Sequence, residues 1–152
     1  MAQKILTPLA AALLAVVVVV AGSAIAANSA KTTTLKLQGT VHAHAVEGGK
    51  VAGTVSDKYA RAGAMVFESA TPGKGVTTPF RAFGKAGTFK GTATADNTIN
   101  PDLTVTVSNC TLKITGGSGN YAHAKGSGTC GGKVDAQGNF TLNYKGTAKV
   151  PK

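Results

Sequence analysis

Few side chains in this 152-residue chain are placed to do chemistry. His42-Ala43-His44 sets two imidazoles on one face of an alternating segment, a spacing that also occurs in metal sites. A metal needs further ligands, and only His123 and the six carboxylates remain to supply them. Lys36, Gln38 and Thr40 share that face, so it reads as solvent-facing and no metal is expected. The carboxylates Glu47, Asp57, Glu68, Asp96, Asp102 and Asp135 form no pair at short spacing. Glu47, Asp96 and Asp102 fall in turn-like sequence. Asp57 and Glu68 lie near strand ends, where the mouth of a barrel can use a carboxylate as acid or base; ordinary surface charge is the plainer alternative. Lys74, in PGKG, lacks the spacing and the following hydroxyl of a phosphate loop. No serine has the context of a nucleophile elbow.

Cys110 and Cys130 are the only cysteines, and the N-terminus says which compartment they meet. Lys4 precedes an unbroken apolar run from Leu9 to Ala21. Ala24-Ile25-Ala26 follows as a cleavage pattern, so residues 1–26 read as a secretory signal peptide. The alternative is an uncleaved anchor, the one route by which the chain would meet a membrane. Export predicts a secreted protein, in the extracellular or envelope space, with its cysteines joined. Register agrees. If Thr115 faces Lys125 across the intervening loop, Cys110 faces Cys130 within disulfide range. Closing that loop contributes about 3 kcal/mol in the chain-entropy view. Two free thiols are the alternative, and the spacing excludes a C-x-x-C redox motif.

The formal charge is +10 at pH 7. Its lysines are spread along the chain with no run of four, and only Arg61 and Arg81 offer bidentate phosphate contacts. No nucleic-acid site is expected. A dispersed positive surface suits solubility and weak attraction to anionic envelope polymers.

The elements that must position these groups are strands. Residues 27–34 read as a flexible lead, and 35–150 as one β domain. Leu35, Leu37, Gly39, Val41, Ala43 and Ala45 alternate with polar residues. Glu47-Gly48-Gly49-Lys50 turns the chain into Val51–Lys58. Ala64–Glu68 is a short strand, Ser69–Val76 a loop, Phe80–Phe83 an extended piece and Gly87–Ala95 a strand. Asp96–Asp102 reads as a strong turn. Between Leu103 and Thr115 the apolar phase flips after Asn109, which predicts a β-bulge near Ser108-Asn109. Gly116, Gly117 and Gly119 read as the corner of a hairpin pinned by Tyr121. Gly126–Val134 and the alternating Phe140–Lys145 complete seven or eight short strands with no helix. An all-β barrel or sandwich is implied. Phe89, Phe140 and Tyr144 are candidates to line an apolar lumen, or simply to fill it as core.

Ile114–Gly126, ITGGSGNYAHAKG, followed by FTLNYKG at Phe140–Gly146, resembles the C-terminal half of the allene oxide cyclase and dirigent-like barrel superfamily. GTFKGT at 87–92 fits the same layout. The resemblance implies a single antiparallel eight-stranded barrel with an apolar lumen, exported and cofactor-free; with the export signal and the alternating strands it leads to a secreted barrel whose lumen or mouth binds a small apolar ligand, with no catalysis assigned. It also implies, as an alternative, a cyclase or isomerase on an oxidised lipid, or a guide of radical coupling. A tendency to oligomerise comes with it. No catalytic residue carries over, because the superfamily's polar lumen residues lie outside the matched hairpin. A third reading is an envelope-associated structural protein that binds anionic polymers.

Overall fold

The computed structural model describes residues 31–57, 62–69 and 71–152. The leader read at 1–26 and Arg61 lie outside the described residues. Eight strands run β1 (Thr32–Ala45), β2 (Val51–Asp57), β3 (Ala62–Phe67), β4 (Gly73–Gly84), β5 (Gly87–Ile99), β6 (Val105–Gly119), β7 (Lys125–Val134) and β8 (Asn139–Pro151). Each pairs antiparallel with its neighbours in sequence, and β1 pairs with β8, so the sheet closes into a barrel. Closure excludes the sandwich. Among the described residues the only helical piece is the 3-10 turn Glu47–Gly49, and no helix there is long and apolar enough to cross a membrane.

The loops after β1, β3, β5 and β7 form one end of the barrel, called the mouth below. The end of β2 at Asp57 and the loops after β4 and β6, with Lys31 and Lys152, form the base. Alternation carries Leu37, Val41, Val51, Met65, Phe80, Phe89 and Ile114 into the interior and leaves threonines and lysines outside.

The structure corrects four boundaries. β1 begins at Thr32, inside the segment read as a loose lead, because Thr32–Thr34 pair with Lys149–Pro151. β4 begins at Gly73, within the stretch read as a loop, with a register shift between Gly73 and Val76. β5 continues through Asp96-Asn97-Thr98-Ile99, which face Ser108 and Val107–Val105. The turn is shorter, closed by Asn100 accepting from Leu103 N–H (3.0 Å) and donating its own N–H to Thr104 (2.8 Å). Polar residues on the outer wall of a barrel look like turn residues in sequence. Finally, Gly116 and Gly117 are not corner residues. They lie in β6 opposite Lys90 and Phe89, and of the three glycines only Gly119 has positive φ, at 57°. A Cβ on Gly117 would press on the Thr88 carbonyl oxygen, so glycine there permits close strand approach rather than a turn.

The bulge expected near Ser108-Asn109 is present. The β6–β7 register shifts between Val107 and Cys110, and Asn109 takes φ 48°. Asp96 ties this bulge to the one in β4. It accepts from Gly75 N–H (2.7 Å) and from Asn109 Nδ2 (2.8 Å). The bond from Asn109, then that from Gly75, holds the Asp96 carboxyl below its ordinary 3.8. A depressed folded pKa gives stabilisation that is present above the unfolded value and lost as pH falls below it. The Gly75 amide is therefore expected to lose hydrogen-exchange protection below about pH 4 while core amides keep theirs. Asp96→Asn should remove that acid step, measured by NMR exchange. Unchanged Gly75 protection across the window would rule the clamp out.

Candidate functional site

The lumen is built from small and apolar side chains. Ala93 and Ala95 on β5 leave space that Val41, Val51, Met65, Phe67, Phe140 and Leu142 border. The result is a cavity with about 70 Å³ open to water-sized molecules, lying toward the mouth. Cys110 and Cys130 form a disulfide with Cα atoms 4.8 Å apart, and both line this cavity. Deeper in, a smaller space of about 30 Å³ is bordered by Phe89, Ile114, Leu112 and Asp57. Tyr144 borders both.

The three sequence candidates therefore do not form one site. Phe140 and Tyr144 line the upper cavity. Phe89 sits lower, 5 % exposed, and stacks on Tyr121 with ring centroids 4.0 Å apart and planes at 17°. Tyr121 is buried at the base, where its carbonyl accepts from Ala124 N–H (3.0 Å). That stack anchors the 119–124 turn to the core, so Phe89 is a packing residue of the base.

Ser69 and Thr78 border the upper cavity with their hydroxyl oxygens 3.2 Å apart, and a further polar row crosses the lumen wall. Gly39 on β1 pairs with Asp57 of β2 on one side and Tyr144 of β8 on the other. Tyr144 donates its hydroxyl to Asp57 Oδ2 at 2.6 Å, spanning the intervening strand. A Cβ on Gly39 would stand 2.8 Å from that hydroxyl oxygen. Burial, then the bond to Asp57, then the carboxylate's charge push the Tyr144 phenol well above its ordinary 10.0. Tyr144 thus stays protonated across physiological pH, its proton committed to Asp57 and its oxygen lone pairs available as acceptors.

The remaining sequence candidates are elsewhere. His42 and His44 are exposed on the outer wall, with His44 Nδ1 3.0 Å from Asn139 Oδ1. His123 is in the base turn. No cluster of three or more His, Cys, Asp or Glu side chains able to hold a metal occurs among the described residues. Glu68 pairs with Lys50 (3.4 Å) and Arg81 (3.9 Å), exposed contacts of small energetic weight. Lys74 is exposed at the mouth.

No family model, curated protein or solved structure matches this chain. The site is argued from its own geometry. Sequence reasoning named Tyr144 and Asp57 separately but not their contact, nor Gly39 between them. Only the register of β1 against β2 and β8 puts the three in one row.

Proposed function

We propose that this barrel is an exported binding protein for a compact, mostly apolar small molecule carrying one hydrogen-bonding group. The observation that carries the reading is the apolar cavity bordered by Tyr144, whose hydroxyl is bonded to Asp57. A single water needs about 10–15 Å³ on the same measure, so the cavity has room for about five waters or one small ring. Pockets for drug-sized ligands run to roughly 300–1,000 Å³. A long-chain lipid would therefore project out through the mouth. The motif resemblance supports the same lumen as the site. A cofactor-free cyclase or a guide of radical coupling would draw on the polar groups that border the lumen, the Tyr144–Asp57 pair and the hydroxyls of Ser69 and Thr78, which lie 3.2 Å apart.

The test uses a matched pair of probes, p-cresol and toluene, which differ by a hydroxyl. Binding is followed by the NMR shifts of the Leu142 methyls and the Phe140 ring. p-Cresol is expected to bind about five- to tenfold tighter than toluene, the weight of one net hydrogen bond. Tyr144→Phe should erase that preference while leaving toluene binding intact. If neither probe moves the Leu142 signals, the lumen is only core.

A further inference from the structure

The lysines that look dispersed in sequence are segregated in space. Of the six carboxylates, Glu47, Glu68, Asp96, Asp102 and Asp135 lie at mouth loops or mouth-side strand ends, and only Asp57 lies toward the base. The basic residues divide the other way. Lys50, Lys74 and Lys133 are near the mouth. Lys36, Arg81, Lys90, Lys113, Lys125 and Lys149 occupy the base-side halves of β1, β4, β5, β6, β7 and β8, and Lys145 is at the midpoint of β8. Lys85 turns the base between β4 and β5, and Lys31 and Lys152 meet there, Lys152 N–H donating to the Lys31 carbonyl at 2.8 Å. Antiparallel strands cause the concealment. A lysine early in one strand and late in the next are distant in sequence but level in the barrel.

This positive half contains a built groove. Outside β1, β8 and β7, Lys36, Gln38, Ser127, Thr129, Lys145 and Thr147 border a trough of about 420 Å³ over the bare backbone of Gly128 and Gly146. It shares Gln38, Thr129 and Lys145 with a second trough of about 690 Å³ that continues past Thr40, Ser56 and Asn143 and is also lined by Asp57 and Tyr144, so an anion is favoured at the Lys36–Lys145 end and not beside that carboxylate. Lys36 faces Thr147 and Gln38 faces Lys145, so the two lysines are diagonal neighbours, about 7–8 Å apart at Cα in such a pair. Among the described residues neither is in an ion pair. Ammonium groups on two such neighbouring side chains repel each other, and an anion between them removes the repulsion.

We infer that this groove binds a linear acidic polysaccharide. Anionic groups of the chain sit between Lys36 and Lys145, and its hydroxyls bond the flanking Gln, Ser, Thr and Asn side chains. The trough is shallow and open, and the polar ends of Lys36, Gln38, Ser127, Thr129, Lys145 and Thr147 border it. It has no exposed aromatic side chain on which a nucleic-acid base could stack. The exposed large apolar residues that would enter a bilayer are elsewhere: Val46, Ile99 and Leu103 at the mouth, and Phe83 on β4, outside the β1–β8–β7 wall. The Lys36–Lys145 trough shares no lining residue with the upper lumen cavity, so this proposal does not rest on ligand binding in the lumen.

The test measures binding of polygalacturonate at low salt, with dextran as the uncharged sugar, polyglutamate as the sugar-free polyanion, and vesicles containing phosphatidylglycerol. Polygalacturonate is expected to bind, dextran not to, and polyglutamate and vesicles to bind at least about tenfold more weakly. Affinity should fall steeply as salt shortens the screening length. K36Q/K145Q should weaken polygalacturonate binding about tenfold, and K74Q/K133Q, which removes the same charge from the mouth, less than about twofold. The dispersed amide NMR spectrum should be the same in both variants away from the substituted positions, which reports an intact barrel whether or not the lumen binds a ligand. Equal losses in the two variants would reduce the effect to net charge and overturn the site. Polyglutamate or vesicles binding as tightly as polygalacturonate would overturn the ligand class, and so would no binding at all.

Discussion

Replacing Gly39 by alanine is expected to destabilise the barrel by about 3 kcal/mol, the upper range for forcing an extra carbon into a packed interior. Two contacts set that size. The new Cβ would press on the Ser56 carbonyl oxygen of β2 and stand 2.8 Å from the Tyr144 hydroxyl. The first contact is with backbone, which moves only if the β1–β2 pairing opens. The second displaces the phenol from Asp57. Urea unfolding gives the total cost, and the background Tyr144→Phe separates the two contacts. With the hydroxyl already gone, adding Gly39→Ala should still cost most of its full value, because Ser56 is unchanged. A loss within about 0.5 kcal/mol of zero, the range of ordinary surface changes, would mean that the row Tyr144–Gly39–Asp57 does not constrain the wall.

The same row makes an alkaline prediction. The folded state holds Tyr144 protonated and raises its pKa above the ordinary 10.0. For a raised folded pKa, the stabilisation is complete below the unfolded value and is lost as pH rises through and beyond it. Wild-type stability should therefore fall more steeply than that of Tyr144→Phe above about pH 10, because burial first and the bond to Asp57 second disfavour the phenolate.

What the sequence made legible follows the distance over which each feature acts. The alternation of Leu35–Ala45 and of Phe140–Tyr144 is local and shows which face is buried. The phase flip after Asn109 is local too, and it located the bulge where Asn109 takes positive φ. The hairpin register that faces Cys110 with Cys130 spans one short loop and was equally readable. Features that depend on distant strands were not. The closure of β1 on β8 joins chain ends, and the row through Gly39 exists only after closure. Gly116 and Gly117 looked like a corner because glycine carries the same letter whether it turns the chain or lets another backbone close on it. The charge segregation was hidden for the same reason. It appears only when antiparallel strands bring Lys36, Lys90 and Lys125 to one level.

Removing the Cys110–Cys130 bridge is expected to lower stability by about 3 kcal/mol, the chain-entropy value for a loop of this size; the separation is 20 residues. Total stabilities of small domains are about 5–15 kcal/mol, so the loss is a large share. Local structure argues that β7 bears it first. The inward row of β7 reads Gly126, Gly128, Cys130, Gly132 and Val134, paired with inward residues of β8. Three of those positions offer no side chain to the core, so Cys130 and Val134 are the only side chains by which β7 grips the interior. Cys110 is also the first β6 residue in register with β7 below the bulge, so the bridge fixes where the register resumes. Cys110→Ala/Cys130→Ala should lower the urea midpoint. It should also cut exchange protection at β7 amides more than at β1 or β5 amides, whose strands carry Val41 and Phe89 into the core. Uniform loss of protection across all strands would show that the bridge acts on the unfolded chain alone. Stability within about 1 kcal/mol of the oxidised protein would show that backbone pairing holds β7 without it.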